Sequence, residues 1–472
     1  MTISRRGFLA GSSALAVWAP LRIAAAPLPR EAEIVVVGAG AAGIAAARRV
    51  MAANRRVVVL EAASVVGGRC VTDTATFDVP FDRGARWLHN ADDNPVAKLA
   101  RGAGMEVYPA ARGQRIRIGR RNARAGEAED FLATLVRANR AITEAVRGKP
   151  DVAAASVLPK DLGPWAGATD FVLGAQATGK DLTDLSALDL VTMVQRDSPS
   201  VCRQGLGTLI GKLAEGLPVV LSTPVTRIAW SGRDAQVETA AGTLTAKAVI
   251  VTASTNVLRS GRIRFAPDLP KRQQDAAARL GLGSYDHIAL ELPGNPLGLA
   301  RDDVVMEQSS DRATGLLLAN LGGSALCQVD VAGAFGAELS ARGEAAMVAF
   351  AQEWLTKLFG ADLGNAVRRR TATRWNDMPY ALGAMSAASP GGQPARKVLM
   401  EPLGSLFFAG EAAHETQWGT VGGAWDSGER AAEAALRKIG ALKPEAPAKP
   451  AKAKRKAPPR TAAPRGLGWP RD

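Results

Sequence analysis

Gly38, Gly40 and Gly43 stand at a G-x-G-x-x-G spacing, and Glu61 follows 18 residues past Gly43. Residues of these types at this spacing hold the pyrophosphate and ribose of a dinucleotide. Gly38 permits a tight turn, Gly40 lets the backbone approach the pyrophosphate, and Gly43 lets a helix pack closely on a strand. The N–H groups of the helix N-terminus, with Ala42 in its first turn, carry the positive end of the helix dipole toward the phosphates. The Glu61 carboxylate can accept hydrogen bonds from ribose hydroxyls. No other chemistry announces itself. The histidines (His89, His287, His414) and cysteines (Cys70, Cys202, Cys327) are scattered without metal-ligand spacing or a disulfide framework, and no Ser/His/Asp arrangement stands out.

The elements that must position this loop are legible around it. Glu33–Val37 is a short β-branched run, read as a buried parallel strand. Ile44 to Met51 is Ala-rich and helical, and Val57–Leu60 reads as a second strand ending in Glu61. The fingerprint therefore sits inside a β-α-β unit, the context that gives it meaning.

A chain of 472 residues with 47% hydrophobic content can bury a large core, in two interleaved domains or one large α/β body. The net charge of +14 resides mostly in the two ends. Residues 1–30 hold four arginines and no acid; residues 441–472 hold nine Lys and Arg against Glu445 and Asp472. The body between is nearly neutral, which argues against nucleic acid as a partner. Arg5-Arg6-Gly7-Phe8-Leu9, a mildly apolar run to Leu21 and Ala24-Ala25-Ala26 are similar to a twin-arginine signal over 1–30. That predicts the twin-arginine export machinery as a partner and a periplasmic or otherwise exported location, reached with the cofactor already loaded. The Lys/Ala/Pro-rich stretch 441–472 is expected to be a disordered basic tail, solubilising rather than membrane-bound.

Just beyond Glu61, Val66-Gly67-Gly68-Arg69 resembles the Gly-Gly-Arg of FAD enzymes of the glutathione-reductase-like superfamily, which implies FAD rather than NAD. Gly68 and Arg69 would then meet the pyrophosphate. Further blocks resemble the flavin-containing amine-oxidase family. Asp82-Arg83-Gly84-Ala85-Arg86-Trp87 is similar to the segment that lies along the isoalloxazine there, bringing in Gly84, Ala85, Arg86 and Trp87. Val225-Thr226-Arg227-Ile228 resembles the strand whose Val225 backbone would hold the adenine. The most specific block is C-terminal: Leu406 to Ala412, with Gly410 and Glu411, then Gly419-Thr420-Val421-Gly422-Gly423-Ala424-Trp425. By resemblance, the helix opening at Thr420-Val421, with Ala424, points at the flavin pyrimidine. N–H groups there would stabilise negative charge on the reduced ring.

The resemblance implies an α/β fold: a doubly wound, Rossmann-like FAD domain from 31–90, 201–285 and 396–440. A substrate domain from 91–200 and 286–395, with a mixed sheet and helices, would interleave with it. It also implies a hydride passing from a neutral amine substrate to flavin N5, hydrolysis of the imine, and reoxidation by dioxygen or another acceptor. Three positions depart from the family pattern. His287 stands where most members carry a lysine that holds a water near N5. It either holds that water itself or is a satisfied core histidine. Trp375 keeps the residue that packs near the flavin, but Met385 replaces the cage tyrosine, opposite Thr420. Met lacks the aromatic quadrupole, so Trp418 and Trp425 either line the pocket or lie in the core. Ala384 stands where some members bond the flavin covalently, so FAD is expected to be non-covalent. Two alternatives stay open. An amino-acid oxidase or desaturase-like enzyme would use one of Arg115, Arg117 and Arg196 in the amino-acid case, and a non-catalytic FAD-binding protein would leave bound flavin unreduced by amines.

Overall fold

The computed structural model describes residues 28–443, except 111–113, 195, 197–198, 361–362 and 364. The expected signal (beyond Leu28–Arg30) and the expected tail (beyond Ala441–Lys443) lie outside the described residues. Among the described residues, no helix is long and apolar enough to cross a membrane, and no group of side chains could hold a metal ion.

Glu31–Val37 is a strand whose two neighbours are both parallel: Val57–Leu60 on one side and Gly242–Val251 on the other. Both faces of this strand are covered, which explains its unbroken apolar run. Ile34 and Val36 face the helices Ala41–Ala52 and Val421–Lys438 through Ala42, Ala46, Ala431 and Ala435. Val35 and Val37 face the opposite core, with Val225, Phe265, Leu399 and Phe408.

The long strand Gly242–Val251 organises the rest of this eight-stranded sheet. Its first half forms an antiparallel hairpin with Ala235–Thr239; its last residues pair in parallel with Leu406–Phe408. The strands Val219–Val220, Val225–Ala229 and Arg264–Ala266 complete the sheet. All its strands come from the stretches 31–90, 201–285 and 396–440.

A second, seven-stranded sheet is mixed. Tyr285–Glu291 pairs antiparallel with Leu326–Ala332 and Arg370–Ala372, while Val304–Glu307 pairs in parallel with Gln114–Ile118. One face packs on the helix Glu344–Phe359 through Met347, Ala351 and Leu355. The other meets Phe131 of the helix Ala125–Ala145, with Trp165 and Phe171. The strand Tyr285–Glu291 is buried throughout. A small sheet of Trp87–Leu88, Ser200–Cys202 and Val107–Pro109 lies at the junction of the expected segments.

Candidate functional site

The glycine loop leaves the first strand with Gly38 at φ +104°, a conformation costly for any side chain. A Cβ on Gly43 would lie 1.9 Å from the Gly38 carbonyl oxygen, so only glycine lets this helix start so close to the strand. Gly40 caps the helix Ala41–Ala52 without a side-chain bond, leaving the N-terminal N–H groups to a ligand. A Cβ there would make only ordinary contacts with Gly67 and Gly68, 3.8 Å away. The two glycine stretches are joined by Gly67 N–H donating to the Ala39 carbonyl at 2.9 Å.

Glu61 is buried at the end of its strand and accepts from the N–H groups of Ala39 and Ala63. Burial raises its carboxyl above the ordinary range, and these N–H bonds oppose that rise. Arg69 donates to the Ala384 carbonyl and to Glu411 Oε1, the latter at 2.9 Å. That ion pair brings together parts of the chain 342 residues apart. Beside it, Arg69, Thr252, Ser254, Gly410 and Glu411 line a cleft at the carboxyl ends of the parallel strands, where doubly wound sheets place ligands.

Glu411 is the hub of this end of the site. It accepts from the Ser386 hydroxyl at 2.6 Å and from the Gly419 N–H at 3.0 Å. Burial alone would raise its pKa; the Arg69 charge, the Ser386 and Arg69 hydrogen bonds and the Arg396 charge hold it below the ordinary range. Behind it, Arg396 and Asp189 form a fully buried ion pair at 2.7 Å. Gly410, at φ +132°, is tied by its N–H to Ser427 Oγ at 2.8 Å, within the helix Val421–Lys438. Thr420 caps that helix: its hydroxyl accepts from Gly423 N–H at 3.0 Å and donates to the Gln417 carbonyl at 2.6 Å. Val421 is buried in the helix's first turn and Ala424 packs against the adjoining core.

The segment Asp82–Trp87 is clamped from two sides. Asp82 accepts from Leu206 N–H at 2.9 Å, and Ala85 N–H donates to the Arg69 carbonyl at 3.0 Å. On the other side, Trp375 Nε1 donates to the Arg83 carbonyl at 2.8 Å, while its own N–H donates to Asp286 Oδ1 at 2.9 Å. Arg86 stacks over Trp87 at 5.6 Å, and its buried Nε lacks a hydrogen-bond partner among the described residues.

His287 is the other half of the clamp. It sits directly across the antiparallel ladder from Asp330. Its Nδ1 lies 2.6 Å from Asp330 Oδ1, and its Nε2 lies 2.9 Å from the Gly84 carbonyl. Gln328 Nε2, 2.8 Å from the same Nδ1, donates to Asp330 Oδ1 at 2.7 Å; Tyr285 donates to Asp330 Oδ2 at 2.8 Å. Nδ1 has the Asp330 carboxylate and Nε2 the Gly84 carbonyl as acceptors, so an imidazolium here gives both its protons to protein atoms, while the Gln328 amide beside Nδ1 directs its proton to Asp330. Burial would lower its pKa, but the Asp330 charge and hydrogen bond, the Gly84 carbonyl and the Asp286 charge together raise it above the ordinary value. Of the two readings open in the sequence, this geometry is that of the satisfied core histidine.

Met385 is half-buried beside Ala384, and its carbonyl accepts from Gly283 N–H at 2.8 Å. Trp418 and Trp425 are in the core, 0% and 1% exposed, and do not line a pocket. Trp418 stacks under Arg396 at 4.5 Å and Trp425 bonds Glu429 at 2.9 Å. Val225, whose backbone is expected at the adenine, is itself buried at the start of the strand Val225–Ala229, whose next residue, Thr226, is exposed. Of the three candidate arginines, Arg115 is paired with Asp303 at 2.8 Å and Arg117 stacks on Phe359 at 4.7 Å. Arg196 donates from Nη2 to the Trp418 carbonyl at 2.8 Å, which places its guanidinium beside Gly419. Asp330, Arg396 and Asp189 were not singled out from sequence. The alternation of Gln328 and Asp330 with apolar residues in Leu326–Ala332 is a signal that could have found the first.

The glycine cradle, the acid at the strand end, the open helix N-terminus and the unpartnered Arg86 Nε suit a flavin dinucleotide lying from Glu61 to Val421. The family model described as "Flavin containing amine oxidoreductase" matches residues 41–436. Polyamine oxidase 4 of Oryza sativa subsp. japonica is 28% identical over 442 residues, covering 86% of this chain and 89% of that protein. Human lysine-specific histone demethylase 2 is 28% identical over 435 residues, covering 84% of this chain and 53% of that protein. Cyclohexylamine oxidase from Brevibacterium oxydans IH-35A superposes with a TM-score of 0.71 at 19% identity, over 87% of this chain and 100% of that one. Putrescine oxidase bound to putrescine gives a TM-score of 0.71 at 19% identity, over 86% and 99%.

Proposed function

We propose, from the premise that this chain belongs to the flavin-containing amine oxidoreductase family and is an FAD-dependent oxidoreductase, that it oxidises the C–N bond of an amine. The observation that carries this reading is the convergence of Asp82–Trp87, Trp375 and the N-terminus of the helix Val421–Lys438 beside a complete dinucleotide cradle. When bound, FAD supplies the two-electron acceptor for a hydride leaving the amine's α-carbon, and dioxygen is the proposed final acceptor, yielding hydrogen peroxide.

The chain's own residues do the positioning. Glu61 would hold the ribose, the N-terminus of Ala41–Ala52 the pyrophosphate, and Gly410–Glu411 the middle of the cofactor. N–H groups at Val421 would face the part of a bound flavin where negative charge grows on reduction, and the helix dipole would favour that charge. Trp87 and Trp375 supply apolar surface that excludes water. His287, with both ring protons engaged, fixes the Gly84 carbonyl and carries no proton to or from substrate.

The test is anaerobic reduction of the purified yellow protein by a panel of amines, followed by peroxide detection in air. Bleaching by at least one amine supports the reading. A protein that binds FAD and is bleached by no amine rules it out.

We further propose export by the twin-arginine route, on the order Arg5-Arg6, Phe8-Leu9, apolar run and Ala24–Ala26. Replacing Arg5 and Arg6 by Lys should leave the protein in the cytoplasmic fraction; an unchanged periplasmic yield would overturn this.

A further inference from the structure

Arg196 lies between the helix Ala187–Thr192 and the strand Ser200–Cys202, half-buried at the inner end of the site. Its Nη1 donates to the Ala177 carbonyl at 3.0 Å and its Nη2 to the Trp418 carbonyl at 2.8 Å. Its carbon Cζ stands 5.6 Å from the Trp418 ring. These anchors are neutral. Its Nε is buried with no hydrogen-bond partner among the described residues. Glu411, the carboxylate that acts on it electrostatically, is already paired with Arg69. The neighbouring His89 is held neutral, first by burial and then by the Arg196 charge, with its pKa lowered to about 3. Burial likewise pulls Arg196 down, to about 10, which leaves it a cation at neutral pH.

Its position is informative. A Cβ built on Gly419 would lie 3.3 Å from Arg196 Nη2 and 3.6 Å from Met385 Sδ. Gly419 precedes Thr420, and Met385 and Thr420 are the facing positions between which the amine is expected. A guanidinium held rigidly at that point repels a second ammonium group on the substrate. Its planar fork, tethered by carbonyls and left with unused donors, matches a carboxylate. A cation desolvated here is better compensated by a ligand's charge than by two dipoles.

We propose that Arg196 anchors a carboxylate carried by the substrate, so that the enzyme takes amines bearing an acid group, amino acids being the simplest such class, in preference to diamines. This rests on the amine-oxidising reading above.

The experiment uses the FAD-loaded protein and matched pairs differing by one carboxylate: L-phenylalanine and 2-phenylethylamine, L-leucine and isopentylamine, L-lysine and cadaverine. In wild type, the acid-bearing member of a pair should reduce the flavin more efficiently, by about 100-fold, the scale of a desolvated charge pair. Arg196→Gln should bring the two members of that pair to near parity, and Arg196→Lys should restore part of the difference. Benzoate, titrated without turnover, should perturb the flavin absorption of wild type and not of Arg196→Gln. Should Arg196→Gln fail to fold, the wild-type preference and the wild-type benzoate titration decide. Preference for the carboxylate-free member overturns the inference while leaving amine oxidation standing. So does equal benzoate binding by both proteins, or loss of FAD affinity in Arg196→Gln with the pair ratio unchanged. Bound FAD that neither member of any pair reduces overturns the inference, and amine oxidation falls with it only if the wider amine panel also fails to bleach the flavin.

Discussion

His287 Nε2 donates to the Gly84 carbonyl across 2.9 Å, tying the buried strand Tyr285–Glu291 of the seven-stranded sheet to the loop expected along the flavin. The position that holds a lysine in most of the family is here a rivet between that strand and the segment Asp82–Trp87. Replacing it by Leu strands Asp330, 1% exposed, without its cationic partner. His287→Leu should lose about 3–5 kcal/mol of stability, with His287→Gln losing less because it keeps a donor. Urea denaturation of the FAD-loaded proteins measures this; a loss under about 1 kcal/mol for the Leu variant would contradict the rivet.

The same pair sets a pH dependence. The folded imidazole titrates above its ordinary 6.5, because Asp330 and its neighbours outweigh burial. A group whose pKa rises on folding stabilises fully below its unfolded value and loses that contribution as pH climbs through the folded value. The stability gap between wild type and His287→Gln should be widest below about pH 6.5 and narrow as pH rises from there through the folded value. Thermal melts across that range check the direction, and a gap that widens with pH would reverse the assignment.

Gly40→Ala separates folding from cofactor binding. Its Cβ would meet protein atoms only at ordinary distance, 3.8 Å, and Gly40 is not at positive φ. The apoprotein should keep its stability to within about 1 kcal/mol, while the methyl group intrudes where the pyrophosphate must approach. FAD affinity should fall tenfold or more, on the order of 1.4 kcal/mol. Gly43→Ala, by contrast, forces a Cβ to 1.9 Å from the Gly38 carbonyl and should destabilise the apoprotein as well. Identical behaviour of the two variants would refute the distinction.

Glu411→Gln removes the charge that Arg69 faces and sets a side-chain amide against the N–H groups of Ser386 and Gly419. The expected cost is about 2–4 kcal/mol, with FAD lost on desalting because the Gly410 turn shifts with it. Retention of FAD at wild-type affinity, measured by fluorescence titration, would show that this hub is not needed for the cofactor.

What could be read from the sequence was local. The turn at Gly38 and the approach at Gly43 are properties of a few consecutive residues, and Glu33–Val37 is apolar on both faces because both are covered. The helix start at Val421 was legible from the block around Thr420, which proves to be its cap. The role of His287 was not legible, because its partners come from 43 and 203 residues away. Arg196 was one of three candidates in sequence; nothing near Met193–Ser200 distinguishes an inward guanidinium from a solvated one. None of the family blocks quoted from the sequence falls within 110–200, yet Phe131, Leu135, Ala138 and Ile142 of Ala125–Ala145 form one buried helical stripe.

The strand Gly242–Val251 is flanked by Glu31–Val37 and by Leu406–Phe408, pieces from opposite ends of the described chain. A ribosome makes the first long before the last. The half-built sheet therefore has the last residues of its central strand, 249–251, unpaired on one edge, and Arg69 lacks Glu411, until residues 406–411 are made. A protein cut short before residue 406 would accordingly carry its phosphate loop without the strand Leu406–Phe408 and the carboxylate that close the cleft beside it.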